Sequence, residues 1–121
     1  MDQVLLGRKK DENKFRFIGG HVDPEDDSLE FAARRELMEE TGFTVEGDLE
    51  YIGSCMVPDW RGPKISAFYL AEYSFGYPEP ASDIVETRWA PINSDLKKLV
   101  VEDHHCLVDL FLKFMEKRSG T

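Results

Sequence analysis

Arg35-Glu36-Leu37-Met38-Glu39-Glu40-Thr41-Gly42 places three carboxylates along one face of a helix. At about 100° per residue, Glu36 and Glu40 stand one turn apart and Glu39 falls in a narrow arc beside them. Like charges so spaced weaken a helix by roughly 0.2–0.5 kcal/mol per pair unless a cation neutralises them. Hard divalent cations, Mg²⁺ above all, take such oxygen clusters and share them with a substrate's phosphates. A solvated acidic face is the plain alternative, and spacing alone favours it. The segment upstream tips the balance.

That segment reads Phe17-Ile18-Gly19-Gly20-His21-Val22-Asp23-Pro24-Glu25-Asp26-Asp27. A β-rich run from Phe15 to Ile18 ends at two glycines, where backbone can approach a ligand or metal with no Cβ in the way. A polar turn punctuated by Pro24 follows, then the helix. Asp27 reads as its N-cap, with Glu30 three residues on as in a capping box. Gly42 fits the left-handed position that closes a helix. Phe31 and Met38 share a stripe expected to face the core, and Ala32 and Ala33 lie near the glutamate side.

Together, Gly20 to Phe43 resembles the Nudix box: Gly, five residues, Glu, seven residues, Arg-Glu, an apolar residue, any residue, Glu-Glu, any residue, Gly, apolar. Arg35, Glu36, Leu37, Glu39, Glu40, Gly42 and Phe43 all match. Asp replaces the first Glu. Asp27 preserves the helical register, at the cost of one extra residue after Gly20; Asp26 in that slot would shift the helix start instead. The resemblance implies hydrolysis of a nucleoside diphosphate linked to a further group, by attack of metal-activated water on phosphorus. It implies Mg²⁺ or Mn²⁺ held by Glu36, Glu39, Glu40 and the main-chain carbonyl of Gly19. Arg35 would orient the glutamates through charge-assisted hydrogen bonds, and Gly20 would sit against the substrate. Such ions shield the diphosphate, acidify water and steady the leaving phosphate.

A chain of 121 residues makes a single domain, 1–121, with a modest core. The net charge of −9 argues against nonspecific nucleic-acid binding. A polyanionic substrate would therefore rely on metal ions and on local cations such as Arg16, Arg35, Arg61 and Lys64. Cys55 and Cys106 lie in apolar surroundings without CxxC spacing and read as buried, reduced thiols. No signal peptide or long apolar run is visible, so cytoplasmic location is the expectation and no membrane partner is expected.

The remaining pattern is α/β. Val4–Arg8, Leu49–Val57, Lys64–Phe75 and Val85–Ile92 read as strands, and Asp103–Lys117 as an amphipathic helix with Leu107, Leu110, Phe111 and Phe114 in its stripe. A second strip (Val108, Leu112, Met115) points to deep packing, with a homodimer contact as the alternative. The resemblance implies an α/β/α sandwich around a mixed sheet. Such domains usually carry a further strand before the one at Val4–Arg8, which the sequence starts too late to supply. A short domain, a truncation and cover from another subunit are all open; an uncovered edge invites association.

Substrate choice lies outside the box. In the turn Pro58-Asp59-Trp60-Arg61-Gly62-Pro63, Trp60 is a candidate to stack on a base and Arg61 to hold a phosphate. The resemblance places an acid before the last strand as general base or extra ligand, giving Asp83, then Glu79, then Glu86. His104 and His105 read as capping or surface residues, and His21 as an exposed turn residue. Val4-Leu5-Leu6-Gly7-Arg8-Lys9, Phe15-Arg16-Phe17, Gly20-His21-Val22-Asp23-Pro24, Asp26-Asp27-Ser28-Leu29-Glu30 and Asp59-Trp60-Arg61 resemble Nudix domains that cleave ADP-ribose, especially those fused to nicotinamide-mononucleotide adenylyltransferases. That implies a small-molecule nucleotide substrate, ADP-ribose, split to AMP and ribose 5-phosphate. The alternatives are a house-cleaning nucleoside triphosphate pyrophosphohydrolase and a non-catalytic ADP-ribose sensor; intact Glu36, Glu39 and Glu40 count against the sensor.

Overall fold

A computed structural model describes residues 3–20, 22–59, 61–73 and 76–119. The elements run β1 (Gln3–Lys9), β2 (Arg16–Phe17), α1 (Leu29–Thr41), β3 (Glu50–Val57), β4 (Lys64–Leu70), β5 (Ile84–Pro91), a short α2 (Leu96–Leu99), a 3₁₀ turn (Glu102–His104) and α3 (His105–Ser119). Among the described residues no helix is long and apolar enough to cross a membrane.

The strands form two antiparallel sheets, ordered β2-β1-β5 and β3-β4. Among the described residues, parallel pairing appears as the single bridge between Phe15 and Val100. There the Phe15 N–H donates to Leu99 O at 2.8 Å and the Val101 N–H donates to Phe15 O at 2.9 Å. β1 runs along β5 with Leu5 opposite Trp89 and Leu6 opposite Arg88. The period of two then sends Leu6 and Ala90 fully into the core.

That core joins the sheets to α3. Leu6, Phe17, Val57, Leu96, Val100, Leu107, Val108 and Phe111 form one buried cluster. Phe17 meets Phe68 edge-on at 4.8 Å and Phe111 at 5.9 Å, so β2 is pinned to both β4 and α3. Burial of Leu107, Val108 and Phe111 accounts for the double apolar strip of α3 as deep packing. A cleft of about 760 Å³ remains between the sheets, with Val4, Ile18, Ala32, Phe68 and Trp89 in its wall.

Three expectations are corrected. Phe31 and Met38 do not face the core: they are 48% and 50% exposed, and α1 buries Ala32, Glu40 and Thr41 instead. Glu40 and Glu36 take the packed side instead, lying against Gly19 and Gly20, while Glu39 stays exposed. The N-cap is Ser28, whose hydroxyl accepts the Phe31 N–H at 3.0 Å. Glu30 accordingly makes no capping box; it accepts from Leu49 N–H and Arg34 at 3.1 Å each.

The third concerns the cysteines. Cys55 and Cys106 are joined as a disulfide, with Cα atoms 6.3 Å apart. α3 lies across β3, bringing together residues whose sequence separation of 51 carries no local signal.

Candidate active site

Gly42 closes α1 in the left-handed conformation (φ 80°), its N–H donating to Met38 O at 2.9 Å. Thr41, fully buried, turns its hydroxyl back to donate to Leu37 O at 2.7 Å. The loop ahead of β5 then takes up the last helical carbonyls. Glu79 N–H donates to Thr41 O at 2.9 Å and Ala81 N–H to Glu40 O at 3.1 Å. This clamp brings the Asp83 charge close enough to help raise the Glu40 carboxyl. The Lys9 ammonium is 3.3 Å from the other side of Asp83.

Arg35 organises the acids. Its Nε and Nη2 donate to the two carboxylate oxygens of Asp26, each at 2.9 Å, a bidentate fork. Its Nη1 reaches Glu39 at 3.0 Å and Glu36 at 3.3 Å. Asp26, whose side chain is 1% exposed, also accepts the Asp23 N–H at 2.7 Å. The Arg35 hydrogen bonds hold its carboxyl below the usual carboxylate range. Asp26, not Asp27, therefore fills the first acidic slot of the box. The helix starts one residue later than the register argument assumed, and the extra length stays out of the turn.

Glu40 is 4% exposed, and its Oε1 accepts the Gly19 N–H at 3.2 Å. Burial, then the neighbouring Glu36 charge, push its carboxyl up to about 8. Burial likewise raises Glu36, against the pull of Arg35. Glu36 lies so close to Gly20 that a Cβ there would overlap its carboxylate. The glycine pair and the helix acids are thus one unit.

Among the described residues no three potential ligands are drawn together as a finished metal cage. The reason is visible in the pairing: Arg35 occupies the space between Glu36 and Glu39, while Glu40 turns to Gly19. The donor set still suits a hard divalent cation. It is all oxygen, packed against side-chain-free backbone, and two of its members are disfavoured as anions by burial and mutual repulsion.

Other sequence candidates separate. Trp60 and His21 lie outside the described residues. Arg61 sits in the β3–β4 turn, where Gly62 N–H donates to Asp59 O at 2.8 Å, and it is not part of the cleft wall. Glu86 pairs with Arg8 at 2.7 Å, and Arg16 with Glu12 at 2.6 Å, so both are engaged away from the glutamates. Glu79 contributes through its backbone. His104 is neither cap nor surface residue: its Nδ1 accepts the Phe17 N–H at 3.2 Å. His105 Nε2 lies 2.9 Å from Lys97 O and 3.1 Å from Val100 O. The sequence contains no local signal for the Thr41 and Ala81 contacts, because they depend on a loop returning from afar.

The Asp26 assignment has a direct consequence. Asp26→Asn should lower turnover by about 10–100-fold, as for residues that orient the groups around a metal, with little change in KM. Asp27→Asn should leave it near wild type. Equal losses in the two variants, measured by steady-state kinetics, would reverse the assignment.

The comparisons with known proteins bear on the family and the fold. The NUDIX domain family model matches residues 1–111. A sequence search among curated proteins returned no match. Among solved structures, the NUDIX domain of Shewanella oneidensis NrtR complexed with ADP ribose superimposes with a TM-score of 0.73 at 21% identity, covering 96% of this chain and 77% of that one. The MutT protein from Methanosarcina mazei Go1 gives 0.76 at 21%, covering 97% and 86%. A bifunctional NMN adenylyltransferase/ADP ribose pyrophosphatase from Francisella tularensis gives 0.74 at 22%, covering 93% of this chain but 37% of that one. The latter protein has also been solved with AMP and a Mn ion, at a TM-score of 0.68 and 20% identity, covering 93% and 38%. With the family match spanning most of the sequence and the Arg35-centred acid array in place, the chain belongs to the NUDIX domain family and is a Nudix hydrolase.

Proposed function

We propose that this hydrolase cleaves ADP-ribose to AMP and ribose 5-phosphate with Mg²⁺ or Mn²⁺. The observation that carries the hydrolytic part is the Arg35-braced array of Glu36, Glu39 and Glu40 beside Gly19-Gly20, with Glu36 and both glycines in the wall of the cleft between the sheets. A bound divalent cation would acidify the attacking water and shield the diphosphate. Glu36, Glu39 and Glu40, with the Gly19 carbonyl, are the residues to hold it.

This chain's own groups do the rest. Arg35 would orient Glu36 and Glu39 through its charge-assisted hydrogen bonds. Asp83, near Glu40, would accept the proton that water loses as the new P–O bond forms and the anhydride P–O bond breaks. Phe43, Tyr73 and Trp89 form an aromatic part of the cleft wall, with Tyr73 and Trp89 rings 5.0 Å apart, a surface suited to a nucleobase. Trp60 and Arg61 remain the sequence-based choices for base stacking and phosphate contact. The sequence motifs shared with ADP-ribose-cleaving domains, and the ADP-ribose bound to the Shewanella domain, favour this substrate.

The test is a comparison of specificity constants on ADP-ribose, other nucleoside diphosphate derivatives and oxidised deoxynucleoside triphosphates, with Mg²⁺ and with Mn²⁺. ADP-ribose should lead by on the order of tenfold or more, about 1.4 kcal/mol of transition-state discrimination. A lead for triphosphates would replace ADP-ribose by a house-cleaning substrate. Tight ADP-ribose binding without turnover would make the domain a sensor.

A further inference from the structure

The glycines that receive Glu36 and Glu40 hang from a very short strand. β2 meets β1 only through Leu6–Phe17 and Gly7–Arg16. On its other side, Phe15 is bonded to Leu99 and Val101, and the next N–H, that of Phe17, donates to His104 Nδ1 at 3.2 Å. The imidazole also lies nearly parallel to the Phe17 ring, at 14° and a centroid distance of 6.1 Å. Two residues further on, the Gly19 N–H holds Glu40 at 3.2 Å. His104 therefore tethers the backbone two residues before it meets Glu40.

We propose that His104 is a positioning residue for the hydrolase site: as a neutral acceptor of the Phe17 N–H, it sets where Gly19 and Gly20 meet Glu40 and Glu36. The inference rests on the assignment of those glutamates to the active site. An imidazole accepting at Nδ1 carries its proton at Nε2. The surroundings maintain that form. Burial, then Arg16 of β2, lower the His104 pKa to about 4; Lys64 of β4 and Lys9 of β1 act the same way, and Asp103 opposes them. Glu12 also lies within its electrostatic reach. A protonated ring would turn an N–H toward an N–H and release the tether.

Three measurements test this. In the native protein, ¹⁵N imidazole spectra at neutral pH should show His104 with bare Nδ1 and protonated Nε2. In the metal-free protein, His104→Phe keeps a flat ring but no acceptor, and should speed exchange of the Gly19 amide on the order of tenfold while leaving Leu6 in β1 unchanged. The same variant should weaken Mn²⁺ binding and lower kcat on the order of tenfold with KM within about twofold, the signature of a displaced site. His104→Asn, whose side-chain oxygen can take the place of Nδ1, should restore all three. A protonated Nδ1 in the native protein, native Gly19 exchange in His104→Phe, or equal loss in the Asn and Phe variants would overturn the proposal. If His104→Phe does not fold, the native tautomer and His104→Asn decide it. Failure of the native protein to hydrolyse any nucleotide would remove the functional reading, yet the amide exchange and Mn²⁺ affinity would still report on the tether.

Discussion

Glu39→Gln and Glu40→Gln should each lower turnover by on the order of 10²–10⁴-fold while the far-ultraviolet circular dichroism stays native, a loss comparable to removing a main electrostatic contributor. Glutamine keeps the shape and takes away the anionic oxygen. For Glu40 the prediction has a second part, because its carboxyl is raised to about 8 by burial first and the Glu36 charge second. The folded pKa lies above the unfolded value, so the protonated form stabilises the metal-free protein at low pH. That contribution is fully present below the ordinary carboxylate range and is lost as pH rises toward and through about 8. At pH 7 Glu40 is therefore largely neutral without metal. Binding of Mn²⁺ must expel that proton, so calorimetry in buffers of different ionisation enthalpy should report close to one proton released per ion. Glu40→Gln should abolish the release. Near-native activity in both variants, or binding with no proton release in the native protein, would sink the assignment of these residues to a metal site.

Breaking the Cys55–Cys106 disulfide should cost about 4 kcal/mol of stability. The bond links positions with a sequence separation of 51, and the chain-entropy account gives a value between those for short and for hundred-residue loops. For a domain of this size that is a fall in Tm of more than about 10 °C. Reduction, or Cys55→Ser with Cys106→Ser, should produce it, with a matching shift in denaturation midpoint. The acid array, built on α1 and β2, lies on different elements from the disulfide. Hydrolysis at low temperature should therefore survive reduction. Oxidised and reduced protein melting within about 1 kcal/mol of each other, or two free thiols titrating in denaturant, would rule out the staple.

Local sequence determined a great deal of this protein. The 3.6-residue period alone puts Glu36, Glu39 and Glu40 together, Gly42 ends their helix, and the box around Arg35 reveals the family. These features depend on backbone geometry within a few residues, so they are legible without a fold. The substitution of Asp for the first Glu was visible too, but register favoured Asp27. Only the three-dimensional path of the turn, with Ser28 as N-cap, turns Asp26 toward Arg35.

What tertiary structure decided lies in contacts between distant segments. Hydrophobic pattern puts Phe31 and Met38 inside, whereas packing buries Glu40 and half-buries Glu36 where they meet Gly19 and Gly20. The disulfide, the clamp of Glu79 and Ala81 on the end of α1, and the tether from His104 to Phe17 each join residues far apart in sequence. A cysteine, a loop acid or a histidine read singly has no period and no fixed spacing to its partner. Its role comes from the chain being folded back, which only the packing of β2, β4 and α3 around Phe17 supplies.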